Sequence, residues 1–119
     1  PGTSLYGHSK FLGEEAMRVF AEYYDLEVPA LLFSIFADPE TAQRRGGGVF
    51  PMTVSWEDAG HAVRRALEVA TLPSPFETFH ILADLPHGKY SNAKARRLLG
   101  WQPRDTLARL WAGRAPAGR

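Results

Sequence analysis

Val28-Pro29-Ala30-Leu31-Leu32-Phe33-Ser34-Ile35-Phe36 is a continuous apolar run of strand length. A run that short and unalternated suits a strand buried on both faces, the usual condition of a parallel sheet. The residues before it follow another period. Between Leu5 and Asp25, Leu12, Ala16, Val19, Phe20 and Tyr23 recur at helical spacing, while Glu14, Glu15, Arg18 and Glu22 fall largely off that stripe. A long amphipathic helix feeding a buried strand predicts the α/β class.

Working back from the strand, the helix begins in Pro1-Gly2-Thr3-Ser4-Leu5-Tyr6-Gly7-His8-Ser9-Lys10, with Ser4 or Thr3 as its cap. Tyr6 and Lys10 stand four apart and so share a helix face, one turn from each other. An ammonium beside a phenol favours the phenolate, which brings the tyrosine toward the range of a proton shuttle. On that reading Tyr6 is the acid/base and Lys10 its tuner. On spacing alone, a packed tyrosine and a solvated lysine are the commoner explanation, since such pairs are frequent on helices. Gly13, inside the helix, marks either close backbone packing or a weak point.

Working forward, Ala37 to Pro51 carries prolines, Asp38, Glu40, Arg44-Arg45 and Gly46-Gly47-Gly48 and reads as a mobile surface loop. Its triple glycine matches no phosphate-binding fingerprint. Met52 to Ser55 is a short extended stretch. Ser55-Trp56-Glu57-Asp58 then opens a helix whose apolar stripe is Ala59, Ala62, Val63, Ala66, Leu67 and Ala70, with Asp58 in a structural role as cap. His61 in that helix has no second ligand at i+3 or i+4, so no metal site is expected. Phe76 to Ala83 reads as a second strand, and His87 and Lys89 fall in an exposed turn. Ser91 caps a helix over 92–99 that Gly100 stops, and Thr106 to Trp111 adds a short helix.

Two stretches together carry a family resemblance. Tyr6-Gly7-His8-Ser9-Lys10 with the downstream Glu14-Glu15 resembles the Tyr-x-x-x-Lys signature of the short-chain dehydrogenase/reductase superfamily, in its extended branch of nucleotide-sugar epimerases, dehydratases and reductases. Leu99-Gly100-Trp101-Gln102-Pro103 resembles the Leu-Gly-Trp-x-Pro close of the same branch. The resemblance implies the C-terminal part of a Rossmann-like doubly wound parallel sheet with a small helical substrate-side subdomain, spanning residues 1–112. It implies NAD or NADP as cofactor, Tyr6 exchanging a proton with a substrate hydroxyl or carbonyl, and Lys10 holding the nicotinamide ribose. Both residues are therefore candidates for catalysis and for cofactor binding, on a sugar or nucleotide-sugar-like small molecule. It leaves oligomeric state open, with a homodimer through the helix bearing Tyr6 as one option. Leu32 stands where the family carries arginine, and Ile35 where a polar residue is common, so no substrate-binding role is transferred to that strand.

Composition sets the remaining bounds. The 119 residues include 14 basic and 13 acidic side chains, a net charge of +1, so no global field draws the chain to nucleic acid or an anionic membrane. There is no cysteine, which excludes disulfides and thiolate metal sites and fits a cytoplasmic location. No membrane span or secretory segment is visible. The chain opens on Pro1, enters its most informative motif at once and holds no Gly-rich dinucleotide turn. It therefore reads as a fragment, inactive in isolation, with residues 113–119 as a disordered tail. The alternative is a non-catalytic truncated scaffold or partner-docking module.

Overall fold

The computed structural model describes residues 3–44 and 48–112. In chain order these form α1 (Leu5–Tyr24), β1 (Val28–Leu32), β2 (Ile35–Ala37), α2 (Pro39–Arg44), β3 (Thr53–Ser55), α3 (Trp56–Glu68), β4 (Phe76–His80), α4 (Ala93–Leu99) and a 3-10 turn at Ala108–Leu110. β1 pairs with β4, and β2 with β3 in parallel register, Ile35 opposite Thr53, Phe36 opposite Val54 and Ala37 opposite Ser55. The fold is α/β with parallel strand pairing, compatible with part of a Rossmann-like fold. The tail proposed over 113–119 lies outside the described residues.

The described residues divide into two compact units, 3–30 with 70–78 and 31–69 with 79–112. In the first, α1 starts where Ser4 Oγ accepts the Gly7 N–H at 3.0 Å and ends where Asp25 turns left-handed at φ 54°. Arg18 stitches it internally to Glu15 at 2.8 Å and Glu22 at 3.0 Å. The chain then docks through Val28 N–H to Pro75 O, 2.7 Å, and Leu72 N–H to Glu27 Oε1, 2.9 Å. The apolar stripe of α1 is not covered. Leu12, Val19, Phe20 and Tyr23 are exposed, and Ala21 is the helix's buried residue. Nothing crowds Gly13 either: a Cβ built there meets no atom within 4 Å, so close packing is not the reason for that glycine.

The second unit holds most of the core. Val54, Ala62, Phe79, Ile81, Leu82, Ala95, Leu99, Trp101 and Leu107 are all buried. Val49, Ala83, Leu107 and Leu110 form one cluster, with Ala42, Leu85 and Trp111 packed against it. α3 is capped by Ser55, whose Oγ accepts the Asp58 N–H at 3.1 Å. The cap is therefore the serine, not Asp58, whose own carboxylate reaches residues 104 and 105. Of the stripe read for α3, Ala59 and Ala62 are buried, while Val63 and Leu67 face solvent.

Three expectations are corrected. The single strand over 28–36 is two, because β1 and β2 take different partners and the chain must shift between them at Phe33-Ser34. Neither piece is buried on both faces: β1 is half-buried throughout, and Ile35 and Phe36 are exposed. The stretch after Ala37 is not all loop. Asp38 accepts the Thr41 N–H at 3.1 Å and Pro39 supplies a preset φ, which together start α2; residues 45–47 lie outside the described set. The turn bearing His87 is exposed at Pro86, Gly88 and Lys89 as read, while His87 itself is half-buried, its imidazole 5.4 Å from the Trp111 ring and its Nδ1 accepting the Lys89 N–H at 2.8 Å.

Candidate functional site

Tyr6 and Lys10 lie on successive turns of α1, as their spacing requires, and the Lys10 Nζ stands 5.7 Å from the centroid of the Tyr6 ring. The tyrosine is 72% exposed. Its backbone carbonyl is occupied by the Ser9 hydroxyl at 2.7 Å, and His8 Nδ1 turns back onto Ser4 O at 2.9 Å. Both neighbours of the pair are thus committed to the helix backbone. Among the described residues, neither the Tyr6 hydroxyl nor the Lys10 ammonium makes a hydrogen bond or ion pair, so both polar heads are available to a ligand. Lys10 sits over the ring face rather than beside the oxygen, an arrangement worth about 0.5–1 kcal/mol at an exposed site.

The second unit contains a cavity of about 390 Å³ between β2, α2 and β3. Phe36 and Trp56 line it with rings stacked 4.4 Å apart at 11°, and Phe33 packs on Phe36 at 5.2 Å. Asp38, Thr41, Phe50 and Thr53 complete the lining that bears on chemistry. The Thr41 hydroxyl and N–H both donate to Asp38 Oδ2 and hold that carboxyl below its ordinary range. A neighbouring cavity of about 290 Å³ shares Asp38 and Trp56 and adds Glu40, Glu57 and Asp105.

Sequence reasoning missed this site. Phe36 reads as one more residue of a buried strand and Trp56 as the first of a helix. Only the parallel register of Phe36 against Val54 brings the two rings together. The available signal was a tryptophan directly after a capping serine.

No family model matches the chain, and no solved structure matches it. It is similar to the NAD-dependent glucose-6-phosphate dehydrogenase of Haloferax volcanii, at 28% identity over 108 residues. The aligned stretch covers 89% of this chain and 39% of that relative. The aligned length is large enough to take in most of both units.

The basic pairs are largely engaged within the chain. Arg64 meets Glu68 at 2.8 Å, Arg65 donates to Leu99 O at 2.9 Å, and Arg96 pairs with Asp84. No group of three or more metal-ligating side chains occurs among the described residues, and none of their helices is long and apolar enough to cross a membrane.

Proposed function

We propose that this chain is the substrate-side part of an NAD-dependent oxidoreductase acting on a hydroxyl of a sugar or sugar phosphate. In this reading Tyr6 is the acid/base and Lys10 its tuner and ribose contact. The observation that carries the reading is the Tyr6–Lys10 pair itself: a phenol and an ammonium on one exposed helix face, the Lys10 Nζ 5.7 Å from the Tyr6 ring centroid, with no competing partner among the described residues. The similarity to an NAD-dependent sugar-phosphate dehydrogenase supports it from an independent direction.

The residues present suit the part assigned to them. Lys10 offers three donors on a flexible stem, which fits a ribose diol. Tyr6 offers one oxygen that can take the substrate hydroxyl proton as the carbonyl forms, and return it in the reverse direction. NAD, when bound, supplies the hydride acceptor. The same pair would serve an epimerase or dehydratase, which use the same proton transfer within a longer sequence.

Replacing Lys10 tests the assignment in the active protein that carries this chain. Lys10→Ala should weaken nicotinamide-dinucleotide binding and lower turnover, because the proposed ribose contact and the charge on the Tyr6 face are both removed. Unchanged affinity together with unchanged turnover would leave Lys10 as a solvated surface cation.

A further inference from the structure

The cavity of the second unit carries a charge pattern at odds with a phosphorylated ligand. Among the described residues that line it, Asp38 is the only charged side chain. The cavity next to it adds Glu40, Glu57 and Asp105, again without a cation among its described lining residues. Arg44, the nearest described base in sequence, is tied to Glu40 at 3.2 Å. A phosphate brought here would meet like charge, with no cation among the described lining residues to neutralise it.

The walls suit a different ligand. Trp56 is 63% exposed although one face of its ring is stacked on Phe36, and Phe33 backs Phe36 in turn, so the indole is a braced plane with an open side. The C–H face of a sugar ring carries slight positive charge and packs on the negative face of an aromatic. Asp38 supplies the polar half of such a site. Its pKa is lowered first by Thr41, whose two bonds both fall on Oδ2, and to a smaller degree by the Glu40 N–H, and a carboxylate with about four lone-pair sites keeps acceptor capacity for ligand hydroxyls beyond these. Thr53 has used its donor, the hydroxyl donating to Phe50 O at 2.6 Å.

We propose that this cavity is a specificity subsite for an uncharged sugar ring, with Trp56 stacking on the ring and Asp38 binding its hydroxyls, and that it discriminates against the phosphorylated form. The proposal rests on the sugar-hydroxyl reading above for its class of ligand. It departs from the glucose 6-phosphate that the relative's name carries.

The test is a titration of the full chain, following the Trp56 indole N–H by NMR, with methyl glucoside, glucose 6-phosphate and tetramethylammonium as probes. The buried Trp101 indole is the control for folding in every variant. Methyl glucoside should shift the Trp56 signal, with glucose 6-phosphate at least about tenfold weaker. Trp56→Ala, followed by ligand-observed NMR, should abolish binding. Asp38→Asn, which can still cap α2, should weaken methyl glucoside about fivefold to tenfold and narrow its advantage over the phosphorylated sugar. Tighter binding of glucose 6-phosphate, a response to the cation alone, or a Trp56 signal indifferent to both sugars would overturn the proposal. Each of those results concerns Trp56 and leaves the nicotinamide reading standing, because that reading is tested through Tyr6 and Lys10.

Discussion

The buried indole of Trp101 donates through Nε1 to the backbone carbonyl of Asp58 at 3.0 Å. The Asp58 carboxylate in turn accepts the N–H groups of Arg104, at 2.9 and 3.0 Å, and Asp105, at 3.0 Å, just beyond that tryptophan. One residue near the start of α3 thus holds the segment after α4 at both ends. Asp58→Ala should therefore destabilise the chain by about 2–4 kcal/mol, since two backbone donors lose a charged acceptor. Asp58→Asn keeps one acceptor oxygen and should cost about half as much. Denaturant unfolding of the two variants checks the ordering, and equal stability of Asp58→Ala and the parent would contradict it.

Two glycines in helical contexts should respond in opposite ways to alanine. Gly100 ends α4 at φ 62°, and a Cβ there would lie 2.6 Å from Arg65 Nη2, the side chain whose Nε donates to Leu99 O. Gly100→Ala should cost roughly 1–2 kcal/mol from the left-handed backbone alone, with displacement of Arg65 adding to it. Gly13 sits in the middle of α1 with open space around it, and Gly13→Ala should stabilise by up to about 1 kcal/mol. Thermal midpoints of the two variants on either side of the parent would bear this out.

What the sequence made legible was local. The caps at Ser4 and Ser55, the stop at Gly100 and the strand at Phe76 each depend on residues within one turn, and the structure has them all. The shared face of Tyr6 and Lys10 is legible for the same reason. Ser91, read as the cap of α4, does accept the Ala93 N–H at 3.1 Å, although the cap position belongs to Asn92. Asn92 spends its amide on Leu82 O and Asp84 instead. The misses were matters of partner choice. An apolar run does not say which strand each half will pair with, so Val28 to Phe36 looked like one strand. Nor does a helical stripe say whether anything covers it, so the exposed face of α1 looked like a core face. The Phe36–Trp56 stack needed the register of two strands separated by a whole helix.

Asp84 gives a pH dependence whose sign can be worked out. Partial burial raises its pKa, but hydrogen bonds from Arg96 and Asn92 and the Arg96 charge outweigh that, and the carboxyl titrates below its ordinary value. A group whose folded pKa is depressed contributes stability above its unfolded pKa, and that contribution is lost as pH falls through the folded value. Asp84→Asn should thus flatten part of the stability loss below about pH 4. Since the pair is largely exposed, the effect near neutral pH should be about 0.5 kcal/mol. Urea midpoints at acidic and neutral pH, compared between variant and parent, measure both quantities.

Proton transfer by Tyr6, as proposed, is tested most directly by NAD-linked turnover of the active protein carrying Tyr6→Phe. The substitution keeps the ring beneath Lys10 and removes only the hydroxyl, on a surface where the fold does not depend on it. Turnover should fall by roughly two to four orders of magnitude while dinucleotide affinity holds. A Tyr6→Phe protein with near-normal turnover would contradict the account, whatever its similarity to known dehydrogenases.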